Sequence, residues 1–244
     1  MELMNLTIIL PTLNRSDKLN IWLEYYSLNK YKGKILIIDS SNKIEKKKNL
    51  LLLKKFSLLD VSYIFLKKKN FRRDLLRIVK KKTKTKYAVY SGDDDFIFIN
   101  ALKYLINFLD TNIEYGGACG LGLVCFKDKK KFRTYKYDSI RGIENLDKFE
   151  RLISQFDRYK YSVSIYSILR TKIWKNLKEQ NFNMSNDISA ELFYTFSIAY
   201  LARIKQFENL IYLIRMVGHK RAKLPKTSEK EIKKFSKFLN SITS

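Results

Sequence analysis

The sequence predicts an α/β fold, a mainly parallel sheet flanked by helices. Three observations predict it. Short continuous apolar runs, such as Leu6 to Leu10 and Ile35 to Ile38, suit strands that are covered on both faces. These runs alternate with stretches whose apolar residues recur at helical spacing, and strand–helix–strand units build parallel sheets. The early strands also run directly into polar segments bearing Asn or Asp, at the edge where open α/β sheets bind ligands.

Each element follows from local pattern. Leu6 to Leu10 is the first strand, closed by Pro11. Ser16 or Asp17 caps a helix whose Leu19, Trp22, Leu23 and Tyr26 share one face. Ile35 to Ile38 is the second strand and ends in Asp39-Ser40-Ser41. A Lys- and Leu-rich helix runs through about Phe56 and leads to a third strand, Val61 to Leu66. Phe71 to Val79 is helical. Tyr87 to Tyr90 is the fourth strand, broken by Gly92, and Leu102, Leu105, Ile106 and Leu109 mark a further amphipathic helix.

The second half changes character. Gly116 to Phe126 reads as a strand entered through a glycine turn, and Phe132 to Tyr137 either pairs with it as a hairpin or lies over the sheet. Val163 to Leu169 is strand-like, Lys172 to Leu177 starts a helix, Ile188 to Leu201 is a long one, and Leu210 to Met216 is a strand. Ser228 and Glu231 form a capping-box pattern. They open a basic terminal helix striped by Ile232, Phe235, Phe238, Leu239 and Ile242. Absent repeats and linkers, the expectation is one domain over 1–227, made of halves 1–110 and 111–227, and a terminal helix over 228–244.

Composition narrows the function classes. With 49 Lys plus Arg against 24 Asp plus Glu, the formal net charge is +25. Hydrophobic residues make up 45% and charged residues 30%, which excludes a disordered tail and a membrane-embedded chain. Cys119 and Cys125 have neither zinc-ligand nor redox spacing. The opening MELMNLTIIL reads as a first strand rather than a signal peptide, so the expectation is a cytoplasmic protein. Of the basic residues 37 are lysine, which supplies diffuse charge; arginine's planar fork reads bases. Such a charge is either a solvated lysine surface or an attraction to anionic lipid headgroups. The terminal helix carries the same choice, docking either on the inner face of the cell membrane or on the protein itself.

The sharpest local signal is Ser91-Gly92-Asp93-Asp94-Asp95, directly after a buried strand. Consecutive carboxylates repel one another unless a cation sits among them. Mg²⁺ and Mn²⁺ favour such oxygen ligands and keep waters and phosphate oxygens besides. Leu10-Pro11-Thr12-Leu13-Asn14-Arg15 and Asp39-Ser40-Ser41 reach the same edge if the strands are parallel.

The order ILPTLNR, IIDSS, YAVYSGDDDF resembles the nucleotide-sugar domain of family 2-like glycosyltransferases of the GT-A fold, closely over Leu6 to Leu109 and more thinly afterwards. The resemblance implies a Rossmann-like domain that binds a nucleoside-diphosphate sugar through a divalent cation, Mn²⁺ or Mg²⁺. It makes 1–110 the nucleotide-sugar half and 111–227 the acceptor half. Pro11, Thr12, Asn14, Arg15 and Asp94 would then line the donor, and Asp39 would meet the base. Asp93 and Asp95 would be the DxD pair holding metal, ribose and diphosphate. The second motif is DSS rather than the family's common DDGS. The resemblance also puts the general base at Glu191, with Ala190 before it and Asp187 one turn earlier as competitor and helix cap. It makes His219 a metal ligand, with Arg215 and Lys220 as candidates for phosphate neutralisation. The implied acceptor is a saccharide or lipid-linked hydroxyl in surface polysaccharide or glycolipid assembly, with inversion at the anomeric carbon. Two rivals stand beside it: a nucleotidyltransferase of similar fold, whose Gly-rich loop LPTLNRSDK lacks, and a basic nucleic-acid-binding module. The aspartates would repel a phosphate backbone and so argue against nucleic acid.

Overall fold

The first four strands form the expected parallel sheet. They are β1 (Leu6–Thr12), β2 (Lys34–Asp39), β3 (Asp60–Phe65) and β4 (Tyr87–Tyr90), in the order β3-β2-β1-β4. The crossovers are the helices α1 (Ser16–Leu28), α2 (Lys43–Lys55) and α3 (Phe71–Lys82). The structure is a computed structural model that describes residues 2–67, 71–128, 131–138, 140–156, 164–178 and 187–217. His219, Lys220 and the terminal helix over 228–244 lie outside the described residues.

β1 does not stop at Leu10. Pro11 sits inside the strand, in register with Ile38. The Ile9 carbonyl accepts from Ser91 on the β4 side and the Thr12 carbonyl from Ser40 on the β2 side. Pro11 shares the parity of Ile9, so its missing N–H faces the β4 side, where the ladder has already ended at Ile9.

The remaining strands complete the sheet differently. β6 (Gly117–Asp128) runs parallel to β9 (Ile204–Val217), and β7 (Lys131–Lys136) folds back on β6 as the antiparallel hairpin. The short β8 (Ile168–Arg170) joins β4 to β6, antiparallel to both. β5 (Asp95–Ile97) pairs antiparallel with β9 at the far edge, giving the order β3-β2-β1-β4-β8-β6-β9-β5. Gly120 permits the close packing of β6 and β9, since a Cβ there would lie 2.4 Å from the Leu210 carbonyl oxygen. The remaining helices are α4 (Ile99–Thr111), α5 (Lys148–Phe156), α6 (Thr171–Asn176) and α7 (Asp187–Leu201). One apolar core joins the halves: Trp22 and Tyr26 of α1, Leu105 of α4, Trp174 of α6 and Tyr212 of β9 all belong to it.

Several expectations are corrected. The strand read over Val163 to Leu169 is a 3-10 turn, Ser164–Tyr166, followed by β8; Val163 lies outside the described residues. β9 begins at Ile204, well before Leu210. α5 carries no clean apolar stripe by which a sequence shows a helix. Arg151 and Gln155 face inward while Phe149 and Ile153 are exposed. The buried Arg151 guanidinium donates to the carbonyls of Ala199 and Tyr200 at the end of α7 and of Asn145 and Leu146. No helix among the described residues is long and apolar enough to cross a membrane.

Candidate active site

The loops after β1, β2 and β4 meet at the carboxyl edge of the parallel strands, and specific bonds hold them. After β1 the chain turns through Asn14, whose φ of 55° lies in the left-handed region that Asn tolerates. The Asn14 backbone N–H donates to Ser41 Oγ at 2.7 Å, and its side-chain oxygen accepts from the Asn42 N–H at 2.8 Å. The β1 and β2 loops are thereby closed on each other. Neither Ser16 nor Asp17 caps α1, which starts after Arg15 without a side-chain cap. The Ser16 N–H instead donates to the Glu45 carboxylate of α2, at 3.0 Å.

The three aspartates have three different environments. Asp93 is buried and accepts from Thr12 Oγ1 at 2.9 Å and from Arg15 Nη1 at 2.8 Å. Burial pushes its carboxyl above the usual range, against the opposing pull of Arg15 and Thr12. The Arg15 guanidinium is raised in turn by its bond to Asp93. Asp94 is half-buried and faces Arg15 at 3.4 Å and Lys18 at 3.3 Å. Asp95 is fully buried, and Arg215 of β9 grips both its oxygens, Nε at 2.6 Å and Nη2 at 2.8 Å.

Arg215 is itself enclosed. It donates to Tyr137 Oη at 2.7 Å and lies between the Tyr137 and Tyr166 rings, at 4.7 and 4.8 Å from their centroids. Burial works to lower its pKa, but the Asp95 bonds and the two phenols prevail and raise it. The acidic loop is anchored along its backbone as well. Trp22 Nε1 donates to the Asp95 carbonyl at 3.0 Å, and the Met216 N–H to the Asp94 carbonyl at 2.7 Å. A Cβ on Gly92 would stand 2.8 Å from Asp95 Oδ2 and 2.9 Å from Asp94 Oδ1, so the loop needs glycine there.

The structure thus gathers Pro11, Thr12, Asn14, Arg15, Asp93, Asp94, Asp95 and Arg215 at one edge, with two reassignments. Asp39, expected to meet a base, is fully buried. Its carboxylate accepts from the Ser41 N–H at 2.7 Å, from Asn49 Nδ2 at 2.9 Å and from the Tyr63 hydroxyl, so in this conformation it has no surface to offer a ligand. Arg215 is engaged by Asp95 and not free for phosphate. Asp187 and Glu191 lie in the first turns of α7, and their side chains are outside what the structure describes. α7 packs on the Ser164–Tyr166 turn, which presents Tyr166 to Arg215, so this helix belongs to the same neighbourhood. Lys18, Trp22, Tyr137 and Tyr166 escaped the sequence reading. Only Lys18 had a signal, standing one helical turn beyond Arg15.

Among the described residues no group of three or more His, Cys, Asp or Glu side chains could close around a metal ion. A hard divalent cation does not need one, because it retains waters and phosphate oxygens beside one or two carboxylates. Asp94 is partly open, and Asp93 would join it once the half-exposed Arg15 turns away from its Oδ1.

A parallel β3-β2-β1-β4 order with aspartates at its carboxyl edge matches the GT-A fold. Solved structures with this fold are similar to the chain. TarS 1–349 of S. aureus in complex with UDP has a TM-score of 0.61 at 17% identity, covering 87% of this chain and 60% of that one. Its complex with UDP-GlcNAc has a TM-score of 0.60 at 15% identity, covering 94% and 63%. The mannosyltransferase PcManGT of Pyrobaculum calidifontis, in complex with GDP-Man and Mn2+, has a TM-score of 0.56 at 10% identity, covering 86% and 56%. The chain therefore spans less than two thirds of the length of these structures. No protein-family model matches it, and no curated protein matches it in sequence.

Proposed function

We propose that this protein transfers a sugar from a nucleoside-diphosphate sugar to an acceptor hydroxyl, with inversion, in the assembly of a surface polysaccharide or glycolipid. The observation that carries the reading is the placement of Asp93 and Asp94 with Thr12 and Arg15 at the carboxyl edge of a GT-A sheet. Similar structures hold UDP-GlcNAc, or GDP-Man with Mn2+, in this fold. The nucleotidyltransferase alternative wants a glycine-rich phosphate loop after β1. That stretch here is closed by the Asn14–Ser41 and Asn14–Asn42 bonds.

Asp93 and Asp94 would hold Mn²⁺ or Mg²⁺, with His219 a further candidate ligand. The cation, when bound, neutralises the leaving diphosphate. Asp95, paired with Asp93 in the sequence motif, is a positioning residue: Arg215 consumes its charge, and its backbone sets the loop. Arg15 and Lys18 keep exposed cationic heads beside the carboxylates and can turn toward phosphate oxygens. Asp39 shapes the floor by tying β2 to α2 and β3. Glu191, with Asp187 as the alternative, takes the proton of the acceptor hydroxyl as its oxygen bonds to the anomeric carbon and the bond to diphosphate breaks. The transition state is oxocarbenium-like, as in other glycosyl chemistry.

The test is a panel of nucleotide sugars assayed for slow donor hydrolysis, beside melting temperatures with UDP, GDP and CDP in the presence and absence of Mn²⁺. A ligand that binds only the folded state at a hundredfold excess over its Kd stabilises it by about 2.7 kcal/mol. The reading expects a metal-dependent rise with one nucleotide and release of the matching sugar. A rise with oligonucleotides alone would overturn it.

A further inference from the structure

α2 is built with two purposeful faces. Its inner face is committed: Asn49 is fully buried on Asp39, Leu52 and Leu53 pack against the core, and Phe56 is buried just past the helix. The outer face is lysine-rich but is not uniformly polar, as that of a solvated helix would be. Ile44 and Leu51, two turns apart on one side, are 68% and 63% exposed. In the turn beyond, Leu58 is 92% exposed. Lysines flank this ridge in the same seven-residue spacing. Lys47 and Lys54 stand at three positions beyond Ile44 and Leu51, and Lys48 and Lys55 at four; of these, Lys48 is paired with Glu45 and Lys55 donates to Asn20 of α1, which leaves Lys47 and Lys54 as the lysines turned outward beside the ridge. Glu45 is the only acidic residue of α2, and it is turned to the Ser16 N–H and to Lys48.

We infer that the outer face of α2 docks on an anionic lipid surface. The ridge enters the boundary between headgroups and acyl chains while Lys47 and Lys54 meet lipid phosphates. An interfacial helix binds by these two contributions together. A nucleic-acid backbone would reward the lysines but leave Ile44, Leu51 and Leu58 in water, and lysine lacks the fork with which arginine grips bases. The ridge runs only about 10 Å from Ile44 to Leu51, enough for shallow seating and not for insertion. Asn42, at the start of α2, is bonded to Asn14, so docking holds the carboxyl edge of the sheet close to the bilayer. This inference does not depend on the sugar-transfer reading.

The test is flotation of the full chain with phosphatidylcholine vesicles, with and without about a third phosphatidylglycerol. Three double variants accompany the wild type. Ile44→Ser with Leu51→Ser removes the ridge at constant charge. Lys47→Gln with Lys54→Gln removes flanking charge, and Lys81→Gln with Lys84→Gln removes equal charge from an exposed region at the end of α3. Binding is expected to the anionic vesicles only. Each α2 pair should weaken it by about tenfold or more, with the α3 pair within about twofold and all melting temperatures preserved. Failure to float, flotation that survives both α2 pairs, or α2-dependent binding to a DNA duplex in place of vesicles would each overturn the inference.

Discussion

Asp95 is the only one of the three aspartates with no exposed surface, and a carboxylate so placed has to be matched inside the protein. Arg215 supplies the match from a strand 120 positions further along the chain, so the division of labour within the acidic run was not legible from its spacing. The run itself was legible, because three adjacent carboxylates after a buried strand need an external reason. Asp95→Asn should break a buried pair and strand the Arg215 charge, lowering stability by about 3 kcal/mol as read by chemical denaturation. Asp94→Asn should leave stability within about 0.5 kcal/mol and abolish Mn²⁺-dependent stabilisation by nucleotide. The reverse pattern would return Asp95 to the metal. Gly92→Ala tests the same loop from the other side. Its Cβ must displace the Asp94 and Asp95 carboxylates, so donor binding should fall, and the melting temperature with it as the Asp95–Arg215 pair is disturbed.

Helix starts show what local pattern reveals and what it hides. The α2 cap obeys the rule: the Asn42 side chain accepts from the Ile44 and Glu45 N–H groups, and Asn42→Ala should cost about 1 kcal/mol. The α1 start does not, because its orphan Ser16 N–H is satisfied by a residue of the next helix. Bonds from Lys48 and Ser16 hold the Glu45 carboxyl down at about 2, from an ordinary 4.5. A depressed carboxylate stabilises the folded state above its unfolded pKa, and that contribution is lost as pH falls through the folded one. The melting temperature of Glu45→Gln should therefore converge on that of the wild type between pH 4.5 and about 2. A constant gap across that window would remove Glu45 from the linkage. α5 was illegible for a related reason: its inward Arg151 answers carbonyls at the end of a helix nearly fifty positions away, a demand that no local periodicity records.

At the scale of the molecule, β1 to β4 were legible because β1, β2 and β4 are buried apolar runs and α1 and α3 bury apolar residues at helical spacing. The remaining strands were less so, since β5 and β8 are three residues each and take their place only from ladders with β9, β4 and β6. In the proposed reaction a proton acceptor must reach the acceptor hydroxyl, and α7 is the element that would bring it. Its N-terminal turns offer two acids, Asp187 and Glu191, four positions apart and so one turn of helix from each other. A capping Asp mainly supports its own helix, so Asp187→Asn should lower stability by no more than about 1 kcal/mol and leave turnover largely intact. Glu191→Gln keeps size and polarity but cannot take a proton. Donor binding, read as nucleotide-induced stabilisation, should persist while sugar transfer falls by about 10²–10⁴-fold. Measuring both quantities on both variants separates the roles, because loss of binding with transfer indicates a damaged fold and loss of transfer alone indicates the base. If Asp187→Asn loses transfer with binding intact and Glu191→Gln does not, the base sits one turn earlier on α7.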